Sequence, residues 1–173
     1  MSIVITGKIA EAIISAAGKY GFTPEEYIAR KILEDLDPKT RIAIYIELFK
    51  KYLSEARRFT NEGDIPQASE KYWGAVTSLL NIVGELKNMD HYKHSDYWEI
   101  METIMVDVEN KELSRLFATV EKMHANYYHN FIKKENFPSY AEAAEELIKE
   151  IIEYIRTINK EIAEKLVTNC LDT

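Results

Sequence analysis

A chain of 173 residues, 46% hydrophobic and 29% charged, has the composition of a folded domain with its own core, not of a disordered segment. Its net charge of −7, from 22 basic and 29 acidic side chains, opposes non-specific wrapping of nucleic acid, which needs a broad basic surface, but leaves room for a local basic stripe. The single cysteine, Cys170, excludes an intrachain disulfide framework, and no run approaches the ~20 apolar residues that span a bilayer. Met1 to Thr6 lack the pattern of a signal peptide, so a cytoplasmic protein without membrane association is expected. Abundant Ile, Lys and Glu beside a single glutamine, Gln67, suit a thermophile.

Residues 1 to 36 read as a separate helical appendage: four β-leaning residues from Ile3 to Thr6, a helix, a turn at Gly21 and a second helix. The same order describes a ribbon-helix-helix unit, whose paired strands enter a DNA groove. The strand here has no Arg or Lys, with only Lys8 beside it, so a plain helical hairpin without specific DNA binding is the expectation. Thr23-Pro24-Glu25-Glu26 supplies a capping box with proline at the first helical position.

A helical bundle is expected over residues 37 to 167, followed by a tail at 168 to 173. Asp37-Pro38 caps a helix whose stripe is Ile42, Tyr45, Ile46, Phe49, Leu53 and Ala56. Asp64-Ile65-Pro66 starts the next, with Ala68, Tyr72, Ala75, Val76, Leu79 and Val83 on one side. The short connection Asn61 to Asp64 makes these two helices antiparallel neighbours. A short helix carries Tyr97, Ile100, Met101, Ile104 and Met105, and the next Leu113, Leu116, Phe117, Val120, His124, Tyr127 and Phe131. The last helix, capped by Ser139 with Glu142, runs through Leu147, Ile151, Ile155, Ile158 and Ile162. At ~28 residues it would extend ~42 Å, so its excess length is expected to build a homodimer.

Lys122, Asn126, His129, Asn130 and Lys133 follow one another at helical steps, with Tyr128 nearby. Amide, imidazole and ammonium groups beside an aromatic ring suit a phosphate and a stacked base, so this stripe is the candidate ligand-binding face; its alternative is an ordinary solvated surface. Glu121-Lys122-Met123-His124 is a Glu-x-x-His unit, but a di-iron centre needs a second copy, which is absent. Asp90, His91, His94 and Asp96 read as a polar loop in preference to a divalent-ion site, and Thr6-Gly7-Lys8 lacks the rest of a P-loop. No metal or cofactor is expected. Cys170 has no evident base beside it. Gly63 and Ala75 have tetratricopeptide-like spacing without a second repeat, which leaves at most a single partner groove.

Two stretches together resemble a known family. One runs from Leu36-Asp37-Pro38 through Gly63-Asp64 to Ala68-Ser69-Glu70-Lys71-Tyr72-Trp73-Gly74-Ala75, and the other is His124-Ala125-Asn126-Tyr127-Tyr128-His129-Asn130-Phe131. They are similar to the archaeal Pyrobaculum-repeat (PaREP, first type) proteins over roughly residues 10 to 155. Those in turn resemble the HEPN helical bundles, which bind nucleotides, cut RNA or act as accessory domains. The chain departs from the family pattern at His129, where an acidic residue is expected, and at Tyr127, which replaces phenylalanine.

The resemblance implies a HEPN-like up-and-down bundle that binds a nucleotide or RNA, or acts as an accessory domain, without efficient catalysis. It also suggests an alternative. HEPN ribonucleases carry Arg, four to six residues, then His; here His124 and His129 have that spacing, without the arginine. A weak metal-independent ribonuclease using His124 and His129 would need the helix to break between them or a second chain to complete the site, because positions five apart diverge by ~140°. The plainer reading places His124 in the core. A partner-binding structural bundle is the third possibility.

Overall fold

The computed structural model describes residues 4–19, 23–33, 35–91 and 93–168, and among them every regular element is helical. Two compact units emerge, Met1–Arg41 and Ile42–Thr173. In the first, α1 (Gly7–Lys19) packs on α2 (Pro24–Leu33) as a hairpin. Val4, Ile5 and Thr6 form no strand; Ile3, Gly21 and the side chain of Glu26 lie outside the described residues. Asp37 then starts α3 (Pro38–Glu62) as its sequence requires, accepting from the backbone N–H groups of Lys39 and Thr40 at 3.0 and 3.1 Å.

The second unit is organised around α4 (Ile65–Lys87). Its sequence suggested one apolar face, but residues 72 to 84 are buried without interruption. Small residues make this possible, because they let neighbouring helices close onto the backbone. A Cβ at Gly74 would sit 2.9 Å from the Tyr52 ring of α3, and one at Gly84 would meet the His91 ring at 2.7 Å. Tyr52 lies against Gly74, and Glu55, one turn on, pairs with Lys71, one turn back, at 2.8 Å. The order is that of the expected antiparallel hairpin.

Three successive helices stop by the same device. At the ends of α3, α4 and α5 (His94–Asp107) a left-handed residue (Gly63, Asn88 and Glu109) lets two backbone N–H groups return to the last turn. These bonds run from Asp64 and Gly63 to Phe59 and Thr60, from Met89 and Asn88 to Gly84 and Glu85, and from Asn110 and Glu109 to Met105 and Val106. Glycine needs no Cβ clearance and asparagine tolerates this conformation; glutamate at φ 54° is the strained member.

Helices α6 (Glu112–His129) and α7 (Phe137–Ile158) complete the core with α4, joined by a short 3₁₀ turn at Lys134–Asn136. Ser139 is not the cap of α7. The helix starts two residues earlier, with Pro138 in its first turn, and the Ser139 hydroxyl donates back to the Asn136 carbonyl. Nor does the last helix run on. Asn159 is extended, caps α8 (Lys160–Val167) by accepting from the Ile162 N–H, and α8 packs on α7 through buried Ala163 and Leu166. The length expected to reach a second subunit is therefore folded back. Leu147, Ile151 and Ile155 are buried as expected, whereas Ile158, at the break, is 41% exposed.

Polar groups tie the outer helices to this core. Arg57 holds Glu145 through two N–H groups at 2.8 and 2.9 Å, and the Tyr72 hydroxyl donates to the same carboxylate at 3.2 Å. Lys87, Asp107 and the Tyr154 hydroxyl form a closed triangle joining α4, α5 and α7. The hydrogen bond to Lys87 holds Asp107 below the usual carboxylate range, while burial raises Tyr154.

Burial first, then the Glu145 charge, pushes the Tyr72 hydroxyl up to about 12, from an ordinary 10.0. A group whose folded value is raised contributes its stability fully below the unfolded value and loses it as pH rises through the folded one. Stability should therefore decline between pH 10.0 and about 12, and Tyr72→Phe should remove part of that decline. Denaturant midpoints at stepped alkaline pH should fall less steeply in the variant; parallel curves would contradict this account.

Candidate functional site

The two sequence motifs meet in space. Ser69, Glu70 and Trp73 project from the first turns of α4, and His124 and Asn126 reach them from α6. The His124 Nδ1 lies 2.8 Å from Glu70 Oε2. An ionised carboxylate only accepts, so Nδ1 carries the hydrogen and Nε2 is turned away from this bond. Beside it the Asn126 amide donates to Ser69 Oγ at 3.1 Å, and its carbonyl accepts from the Ile132 backbone N–H at 2.7 Å. Asn126 is fully buried.

Trp73, almost fully buried, forms the floor. The His124 ring stacks on it with centroids 4.9 Å apart, and His94 from α5 stacks at 5.2 Å. The two imidazoles are only 6.3 Å from each other and within 27° of parallel, so they lie side by side on one face of the indole. Phe117 stacks on Trp73 as well, and Tyr97 meets it edge-on. His94 Nε2 is 2.6 Å from Glu121 Oε1, and the Trp98 indole N–H donates to that same oxygen at 2.9 Å. Each imidazole thus has one nitrogen held by a carboxylate. The His94 side chain is 47% exposed and that of His124 16%, so the pair opens to solvent at the His94 side. The exposed Tyr128 meets His124 edge-on at 5.4 Å.

The stripe read from the sequence divides in the structure. Lys122, Tyr128, His129, Asn130 and Lys133 are exposed. Asn126 is not on that face: its amide is committed to Ser69 and Ile132 and so orders the chain leaving α6. Lys122 Nζ accompanies Tyr140, within 3.1 Å of its hydroxyl, and lies over the Phe131 ring at 5.9 Å. Asn130 ends α6 in the left-handed conformation, and Lys133 precedes the 3₁₀ turn. Helix α6 runs unbroken through His124 and His129, so their side chains diverge by ~140° and do not form a pair within one chain.

Among the described residues, no three His, Cys, Asp or Glu side chains converge as a metal-ligand set, and no helix is long and apolar enough to cross a membrane. Cys170 lies outside the described residues. An open cleft of about 640 Å³ at the α5–α6 turn, lined by Glu102, Met105, Val106, Glu109, Lys111 and Ser114, borders none of these groups.

Residues 44–148 match the model of the archaeal PaREP1/PaREP8 family. The chain belongs to this family. The PaREP1/PaREP8 match starts in α3, ends in α7 and contains every member of the histidine–tryptophan cluster. No curated protein and no solved structure matches the chain.

Sequence reasoning found His124 but missed its partners. Glu70 and Trp73 stood out only as family motif, and His94 as part of a polar loop. The spacing of His94 and Trp98, one helical turn apart, is the signal that would have placed both on one helix face, and the loop reading passed over it. Their meeting with α4 and α6 is a tertiary fact that no local spacing contains.

If Asn126 is structural, Asn126→Ala should destabilise by about 1–3 kcal/mol, because it leaves the Ile132 N–H without its acceptor. Urea unfolding at neutral pH measures this; a variant as stable as wild type would return Asn126 to the ligand-binding candidates.

Proposed function

We propose that this PaREP1/PaREP8 protein binds a phosphate-bearing ligand, a nucleotide or single-stranded RNA, at the C-terminal end of α6. One observation carries the reading. In a chain of net charge −7, the segment from Lys122 to Lys133 exposes the rings of Tyr128 and Phe131 together with Lys122, His129, Asn130 and Lys133, and Lys122 Nζ lies over the Phe131 ring at 5.9 Å. Bases stack on exposed aromatic rings while ammonium groups neutralise phosphates, and this segment offers both. The HEPN resemblance points to the same ligand class. The reading needs no second copy of the chain, because the segment from Lys122 to Lys133 carries all of these groups.

The ribonuclease alternative in its His124–His129 form gains no support from an unbroken α6. Asn126 also leaves the proposed contact set, which becomes Lys122, Tyr128, His129, Asn130 and Lys133, with Phe131 added.

Fluorescence anisotropy with a labelled single-stranded RNA and with a mononucleotide tests the proposal. Affinity should fall with salt, by roughly 0.7 decades per decade for each phosphate neutralised. Tyr128→Ala should weaken binding by about 1–3 kcal/mol, as for a lost base stack, and Lys122→Ala with Lys133→Ala should flatten the salt dependence. Equal affinities for wild type and both variants would reduce this surface to solvated helix.

A further inference from the structure

The first unit, Met1–Arg41, is at the size where a chain rarely closes a core alone: about 40 residues usually need a disulfide, a metal or a partner surface. The single cysteine, Cys170, lies outside this unit, and no three metal-ligating side chains converge among the described residues. A partner surface is the remaining device, and α1 has the sequence of a helix that uses one. Seven of its 13 residues are Ile or Ala, spread around the whole circumference, which is the pattern of a helix covered by neighbours. Yet of α1 only Ala17 is buried. Ile9, Ala12 and Ala16, at i, i+3 and i+7, line one face; Ile9 is 67% exposed, Ala12 is exposed and Ala16 is half-buried. Val4 and Ile5, just before the helix, are exposed as well.

Charge indicates what covers this face. The six basic and six acidic side chains of Met1–Arg41 cancel, so the whole net charge of −7 falls on Ile42–Thr173. Copies that meet through their first units bring together surfaces without mutual repulsion, whereas contact through the acidic units is opposed. A partner recognised by charge finds little on α1, where Glu11 is the one charged residue between Lys8 and Lys19. A second α1 has the matching chemistry. Under a two-fold axis the face meets itself, and Ile9 of each copy packs against the small Ala12 and Ala16 of the other. We infer that a second copy of this chain covers the Ile9, Ala12 and Ala16 face of α1, giving a dimer joined through the first units. The contact is thus placed on α1 and not on α7, where α8 already packs.

Sedimentation velocity on the full chain, diluted from ~100 to ~1 μM, should show a monomer–dimer equilibrium. Ile9→Asp should weaken dimerisation by about 100-fold or more, because pairing would bury an unpaired carboxylate. Val106→Asp, at a similarly exposed aliphatic in the second unit, should leave it unchanged. Circular dichroism checks that both variants keep their helices. A second measure needs no disruptive change: Ala12→Cys with Cys170→Ser should be joined into covalent dimers by a short bis-maleimide, and Val106→Cys with Cys170→Ser should not. A monomer throughout the dilution series would overturn the inference. Co-sedimentation of that monomer with anionic lipid vesicles would give the face to a membrane surface instead. A dimer indifferent to Ile9→Asp and not joined through Ala12→Cys would place the interface elsewhere and overturn it equally.

Discussion

A carboxylate inside a protein must be answered, and here the answer organises the molecule. Glu70 sits within the buried length of α4, where water cannot satisfy it, so the chain supplies the His124 imidazole from α6. Removing the imidazole would leave a buried acceptor without its donor, which typically costs about 1–3 kcal/mol and makes the register of α6 against α4 hard to change. Ser69 and Asn126 repeat the logic one step away with neutral groups, and Asn126 extends it to the Ile132 backbone. Both family motifs are thus halves of one polar clasp between two core helices. The clasp holds the His124 ring on Trp73 and orders the chain that leaves α6, on which the proposed ligand surface lies.

The clasp also accounts for the uneven success of reading the sequence. Caps at Asp37 and Asp64, the stripes of α3, α5 and α7 and the α3–α4 turn were legible because each is a local property of a few neighbouring residues. Helix α4 was legible as a helix but not as the centre. Its Gly74 and Gly84 look like weak helix formers in sequence, and only the neighbours that press on them show that their smallness is the point. Ser139 and Asn159 misled for a related reason. Pro138 takes the first turn from Ser139, and Asn159, read as one more residue within a long apolar period, uses its side chain to start a new helix instead.

At the site, periodicity found which residues share a face of α6 but not which way that face looks. Placing Asn126 with Lys122 and His129 is right by angle to within a third of a turn, and wrong by environment, because α4 approaches α6 at Asn126. The same blindness hid His94, whose significance comes from α5 lying over Trp73. The result is a division of labour along α6. The side facing α4 and α5 carries His124 and Glu121 in fixed positions, and the solvent side and helix end carry the exposed aromatic and basic groups. Tyr128 bridges the two.

The most direct test of this account reads the His124 ring itself. Nitrogen-15 spectra of the imidazoles at neutral pH, assigned through His124→Asn, report which ring nitrogen bears a proton. The clasp predicts a hydrogen-bonded proton on His124 Nδ1, lost in Glu70→Ala. A proton on Nε2 alone, or an Nδ1 signal indifferent to Glu70, would contradict the interaction from which the site is built.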